Sequence, residues 1–323
     1  MTTIYLHEGG STRCVDRVDP AWLAPGSGVW VWVDLSQPTE EESRLLSDVF
    51  HFHELAIEDA VAEIHHPKIE SYGNYLYVIL HGIDFRAREH CFQTRDVDFF
   101  LGDQYLVTVH PGISRSIGRI GDICARNGHV LGEGPAALMH RIIDTMVDNY
   151  RPEVEKLAER LDHIEHEVFR AADGHSHLSR RILDFKRDIA SLRRVVLPER
   201  DVVGRMARRE FPFVSEQIAY RFRDVHDHLV RLSDEAMFFQ DRISSLLDAH
   251  LAMVSNQLNS VMKVLTIIAT LFMPLTVLTG LYGMNVTLPH LPGGDDAQFW
   301  WVSAMMVLLS GLMLAYFRRK RWL

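Results

Sequence analysis

The chain has 323 residues, 47% of them hydrophobic and 24% charged, and a formal net charge of −9. That balance fits one large or two modest folded domains, and the acidic excess argues against a nucleic-acid partner. Its three cysteines, Cys14, Cys91 and Cys124, lie far apart in no ligand spacing, as expected in a reducing compartment without a disulfide framework.

Residues 1–134 read as a mixed α/β domain. Residues 29–33 (VWVWV) and 75–80 (YLYVIL) carry the β-branched and aromatic side chains of strands. Residues 98–101 and 105–109 flank Gly102-Asp103, a hairpin signal. Residues 39–49 and 54–63 have helical spacing, and Pro67 stops the second.

From Pro135 to about residue 210 the pattern changes to two charged helices, 136–172 and 178–206. The turn at Asp173-Gly174-His175-Ser176 predicts an antiparallel pair. Between Phe213 and Met273 there is neither glycine nor proline. Roughly 60 helical residues would reach about 90 Å. This stretch runs directly into an apolar segment, so residues 211–284 predict one stalk helix that continues into a membrane span.

Residues 264–294 and 297–317 contain no charged side chain. A spanning helix needs roughly 20 apolar residues, so 264–284 and 297–317 both qualify, joined by a loop at 285–296. The basic tail 318–323, with Arg318, Arg319, Lys320 and Arg321, belongs on the cytoplasmic side. Two spans then place both termini in the cytoplasm, and the first residues lack the pattern of a signal peptide.

At about 100° per residue, Asp248, Asn259, Leu265, Ala269, Met273 and Thr276 share a side of the long helix with Gly280. A lipid-facing stripe should be uniformly apolar, whereas this one mixes a carboxylate, an amide and a hydroxyl. A helix–helix interface gathers similar residue types. Pro274 within the span frees a backbone carbonyl, which is tolerated facing neighbours or water.

The span ends in Tyr282-Gly283-Met284-Asn285. This tripeptide at the outer end of the first of two spans resembles the signature of the CorA family of divalent-cation channels. Residues 254–256 and 259–276, followed by Gly280, are similar to that family's pore helix. Residues 67–70 with Asn74-Tyr75, 185–193 (FKRDIASLR) and 222–228 (FRDVHDH) extend the likeness over almost the whole chain. The resemblance implies an α+β membrane protein: a cytoplasmic α/β domain, an antiparallel helical pair, a very long stalk and pore helix, and a second transmembrane helix. Five copies would form a funnel-shaped homopentamer in the inner membrane, with lipid around it.

It also implies site roles. Gly283, Met284 and Asn285 would form the selectivity filter, in which amide oxygens accept hydrogen bonds from the water shell of a hydrated Mg2+. Magnesium holds that shell tightly, so recognising it hydrated avoids a costly dehydration. Asn259, Thr276 and Gly280 would line the pore, and Leu265 and Met273 would close it by dewetting. Asp224 and Asp248, with Asp84 as partner, match positions where regulatory cations bind between subunits. Mg2+ would then be both transported and regulatory ion, with no other cofactor, and Co2+ and Ni2+ would pass as ions of similar hydrated size.

The outer loop departs from the magnesium-type pattern. It reads Leu288-Pro289-His290-Leu291-Pro292, and its acidic charge sits at Asp295 and Asp296. This is closer to the zinc-transporting ZntB branch, so a proton-coupled Zn2+ carrier is the alternative. A membrane-anchored sensor or scaffold is the alternative of another class, although an anchor needs neither the polar stripe nor Asn285. No phosphate loop or nucleophile elbow suggests an enzyme.

Overall fold

A computed structural model describes residues 1–61, 66–83, 94–126, 129–170, 175–284, 295–320 and 322. The first strands are β1 (Thr2–Glu8), β2 (Ser11–Val15) and β3 (Trp30–Ser36), followed by helices α1 (Glu40–Asp48) and α2 (Glu54–Val61). Strands β4 (Lys68–Ser71), β5 (Leu76–Ile83), β6 (Thr94–Leu101) and β7 (Tyr105–His110) come next. Helices α3 (Arg115–Arg126), α4 (His129–Gly132), α5 (Pro135–Asp148), α6 (Arg151–Arg170), α7 (His175–Ala207), α8 (Glu216–Tyr282) and α9 (Asp295–Arg319) complete the order. The chain divides into two compact units, Met1–Leu247 and Asp248–Leu323, with the boundary inside α8.

The seven strands form one sheet in the order β2-β1-β3-β7-β6-β5-β4. Among the described residues only the β3–β7 pairing is parallel. Side chains alternate across a strand, and both faces are covered. Trp32, Val78, Phe99 and Leu106 pack with apolar residues of α3, α5, α6 and α7 on one side. Val33, Tyr77, Phe100 and Val107 pack with residues of α1 and α2 on the other. Thr39 caps α1 through a capping box with Glu42, which satisfies orphan N–H groups at the helix start.

The strands and first two helices expected from residues 29–109 are present, whereas the β1–β2 hairpin, β4, α3 and α4 carried no signal read from sequence. The helix expected over 136–172 is two helices. It breaks at Asn149-Tyr150, where Tyr150 is fully buried and donates its hydroxyl to the His81 carbonyl at 2.9 Å. Pro152 then sits near the start of α6, where a missing N–H costs little. Helices α6 and α7 are antiparallel, as Arg160 pairs with Asp188 at 2.9 Å and Arg181 with Glu167.

A buried polar network fastens α7 to the sheet. Beyond Ile79, β5 has no β4 partner, and the His81 N–H donates to Glu199 at 2.7 Å. Glu199 is 2% exposed. Burial raises its carboxyl to about 8, against the opposing hydrogen bonds from His81 and Tyr150. Asp98, beneath Tyr77 at 2.6 Å, is likewise pushed up to about 8 by burial.

Candidate ion pathway and cation-binding cluster

In the unit formed by residues 248–323, α8 presents two unlike faces. From Lys263 to Tyr282 its less exposed positions are Lys263, Ile267, Leu271, Pro274, Leu275, Leu278 and Tyr282, and all but Leu275 are spaced by three or four residues. That spacing defines one helix face. Pro274 and Leu278 border a groove whose other wall is Met305, Leu308, Leu309 and Leu312 of α9. The matching buried position on α9 is Phe317, 5% exposed, and Ile267 is 8% exposed. Helix α9 therefore covers this face of α8.

The opposite face is uncovered. Asp248, Asn259, Leu265, Ala269, Met273, Thr276 and Gly280 are all exposed. Met273, 72% exposed, lies at the edge and also borders the groove. Gly280 has open space where a side chain would project. Thr276 donates its hydroxyl proton to the Phe272 carbonyl at 2.8 Å, and Thr266 and Thr270 bond back to their own helix in the same way. Each hydroxyl oxygen keeps lone pairs for an incoming donor such as water. Pro274 has no N–H, so the Thr270 carbonyl lacks its usual helical donor.

At the end of α8 the Gly283 N–H donates to the Thr279 carbonyl at 2.9 Å. A Cβ at Gly283 would lie 2.8 Å from that same oxygen, so any side chain there would displace the turn. Met284 follows, exposed. Asn285 and the loop after it lie outside the described residues, as does Asp84. Asp295 and Asp296 open α9.

In the unit formed by residues 1–247, ligating groups meet between α5 and α8. Carboxylate oxygens of Asp144 and Asp148 and a ring nitrogen of His228 lie within 4.8 Å of one another, a spacing that could hold a metal ion. Burial raises the carboxyl of Asp144. His140 and His228 oppose that shift, while Asp148 and Asp224 add to it by like-charge repulsion. Thus Asp224 belongs to the surroundings of this cluster, whereas Asp248 falls in the other unit. Asp144 and Asp148 were not picked out from the sequence. Their i,i+4 spacing, matched by Asp224 and His228 on α8, is the signal that could have found them. His226 points elsewhere, with its ring over Gly204.

The chain matches the model of the CorA-like Mg2+ transporter protein family over residues 27–319. Bacillus subtilis YfjQ is 32% identical over 95% of this chain and 93% of its own length. The cobalt/magnesium transport protein CorA of Thermotoga maritima is 30% identical over 91% of this chain and 83% of its own. In structure, the CorA magnesium transporter of Methanocaldococcus jannaschii matches with a TM-score of 0.84 at 21% identity, covering 100% of this chain and 99% of that one. The cytoplasmic domain of ZntB from Vibrio parahaemolyticus matches with a TM-score of 0.63 at 14% identity, over 79% of this chain and 98% of that domain. These two likenesses establish the fold. The two candidate spans and the covering match define a membrane transporter rather than an enzyme. The chain belongs to the CorA-like Mg2+ transporter family.

Proposed function

We propose that this chain conducts hydrated Mg2+, with Co2+ and Ni2+, through a pore lined by the uncovered face of α8. The observation that carries this reading is the division of α8 into two faces. One is largely apolar and faces α9, and the other is mixed and exposed and ends at Gly283, with Asn285 two residues further along the sequence. Five copies around one axis would bring the exposed faces together and enclose water. Asn285 would contact the ion's water shell, with Thr276 and Asn259 as further polar rings and Met273 and Leu265 as constrictions. The basic flank supports an inner-membrane protein with both termini cytoplasmic.

Regulation by cytoplasmic Mg2+ rests on the carboxylates of the soluble unit. Asp144, Asp148 and His228 would hold a cation whose charge relieves the repulsion around Asp144, with Asp224 beside them. Asp248 and Asp84 would act at contacts between subunits. A cation that binds the closed state alone stabilises that state by mass action.

The test is ion flux into liposomes holding the purified full-length chain, read with magnesium- and zinc-sensitive dyes. Magnesium should enter without a proton gradient, and Asn285→Ala should abolish entry without disturbing assembly. Zinc flux that exceeds magnesium flux and requires a proton gradient would establish the carrier instead. Undiminished flux through Asn285→Ala would remove the filter.

A further inference from the structure

Glu199 of α7 is enclosed by the same helix turns that carry the cation cluster. Ile143, Met146 and Val147 of α5 and Leu229 of α8 line the space around it. Asp144 directly follows Ile143, Asp148 directly follows Val147, and His228 directly precedes Leu229. Neighbouring residues on a helix diverge by about 100°. Those turns therefore present ligating groups to the cluster on one side and pack against Glu199 on another.

The hydrogen bonds of Glu199 call for a proton. Its Oε1 accepts the His81 N–H at 2.7 Å. The Tyr150 hydroxyl is bonded to the His81 carbonyl, at 2.9 Å, and also to Glu199. A hydroxyl has one hydrogen, so an ionised Glu199 and the His81 carbonyl would compete for it. A protonated Glu199 brings a second hydrogen, and both contacts are then made.

The surroundings penalise the charged form in the same direction. The His81 ring pairs with Asp96 of β6 at 3.2 Å, and the walls from α5 and α8 are apolar. Among the described residues lining the enclosure there is neither Lys nor Arg. A carboxylate formed there must draw in water or move. Burial accordingly raises the carboxyl to about 8, so it ionises just above neutrality.

We propose that Glu199 makes the cation cluster sensitive to alkaline pH: loss of its proton loosens α5 and α8 behind Asp144, Asp148 and His228 and weakens their hold on a divalent cation. This rests on the regulatory reading of that cluster and adds a second input to it. Carboxylate and imidazole ligands by themselves bind a cation more tightly as pH rises, because protons compete for them. Coupling to Glu199 reverses that trend above neutrality. By linkage, cation binding must also draw a proton onto Glu199.

The test is the magnesium concentration that half-protects the full-length, detergent-solubilised chain from proteolysis, measured from pH 6.5 to pH 9. In the parent it should first fall and then rise several-fold between pH 7.5 and pH 9. Glu199→Gln, which stays neutral, should keep the fall and lose the rise. Asp98→Asn, which removes the buried carboxyl beneath Tyr77, should behave like the parent. Should Glu199→Gln fail to fold, the parent alone still decides: magnesium added to a weakly buffered sample at pH 8.5 should cause proton uptake. A rise that persists in Glu199→Gln would overturn the coupling. So would its disappearance in Asp98→Asn, or net proton release at pH 8.5. Full protection of Asp144→Asn with Asp148→Asn at pH 7.5 would instead refute the cluster itself, and this input with it.

Discussion

The two units of this chain solve opposite problems. Residues 1–247 bury most of their large apolar side chains and hold buried polar groups such as Glu199 by hydrogen bonds, here from the His81 N–H. Residues 248–323 leave most large apolar side chains exposed, and among the described hydrophobic residues only Ile267 and Phe317 are buried, at 8% and 5% exposure. In water the second pattern would aggregate. In hydrocarbon it is the ordinary surface of a helix pair. The lesson lies in what breaks each pattern: a buried carboxylate in the first unit, and a polar exposed stripe in the second.

The largest difference should appear in folding. Phe99 is fully buried beneath the helices of the soluble unit, whereas Val307 on α9 is 74% exposed. Phe99→Ala should destabilise the chain by about 3–5 kcal/mol through a cavity. Val307→Ala removes no packed neighbour and should stay within about 1 kcal/mol. Chemical denaturation of the detergent-solubilised protein reads both, and equal costs would erase the contrast.

A smaller effect concerns cation binding. Asp144→Asn with Asp148→Asn should remove most of the protection from proteolysis that millimolar magnesium gives, and Asp224→Ala with Asp248→Ala should weaken it. Since a cation needs Asp144 ionised and its carboxyl is raised, protection should fade on acidification earlier than for an ordinary aspartate. Unchanged protection in the first variant would return Asp144 and Asp148 to a solvated surface role.

A pH-dependent effect, confined to alkaline conditions, sharpens the account of the buried network. Glu199 shifts from 4.5 to about 8 on folding, so the folded state holds a proton that the unfolded chain releases. Its contribution to stability is full below about pH 4.5 and is lost as pH rises to about 8. Glu199→Gln keeps an acceptor oxygen and no charge, so it should be more stable than the parent at pH 9 and similar at pH 5. An identical pH dependence of Tm in both proteins would show that Glu199 does not titrate this way.

Much of this was legible in the sequence because periodicity reports a helix's environment directly. The charge-free runs marked both spans, and the mixed stripe marked the face of α8 that α9 leaves open. The hairpin β1–β2 was not, because Gly9-Gly10 is its only loud signal and the β2 strand is largely exposed. The break between α5 and α6 depends on Tyr150 reaching His81, a contact 69 residues away that no local pattern announces. Likewise Asp144 and Asp148 look like surface charge until His228 is placed beside them.

The central claim is that the uncovered face of α8, and not the face covered by α9, borders the ion path. Single cysteines at Thr276 and Gly280 can be compared with single cysteines at Leu271 and Leu278, using magnesium flux before and after a charged, membrane-impermeant thiol reagent. The unsubstituted chain controls for its own cysteines. Flux should fall sharply on modification at Thr276 and Gly280 and stay unchanged at Leu271 and Leu278. Block at the second pair with none at the first would contradict the pathway assigned to this helix.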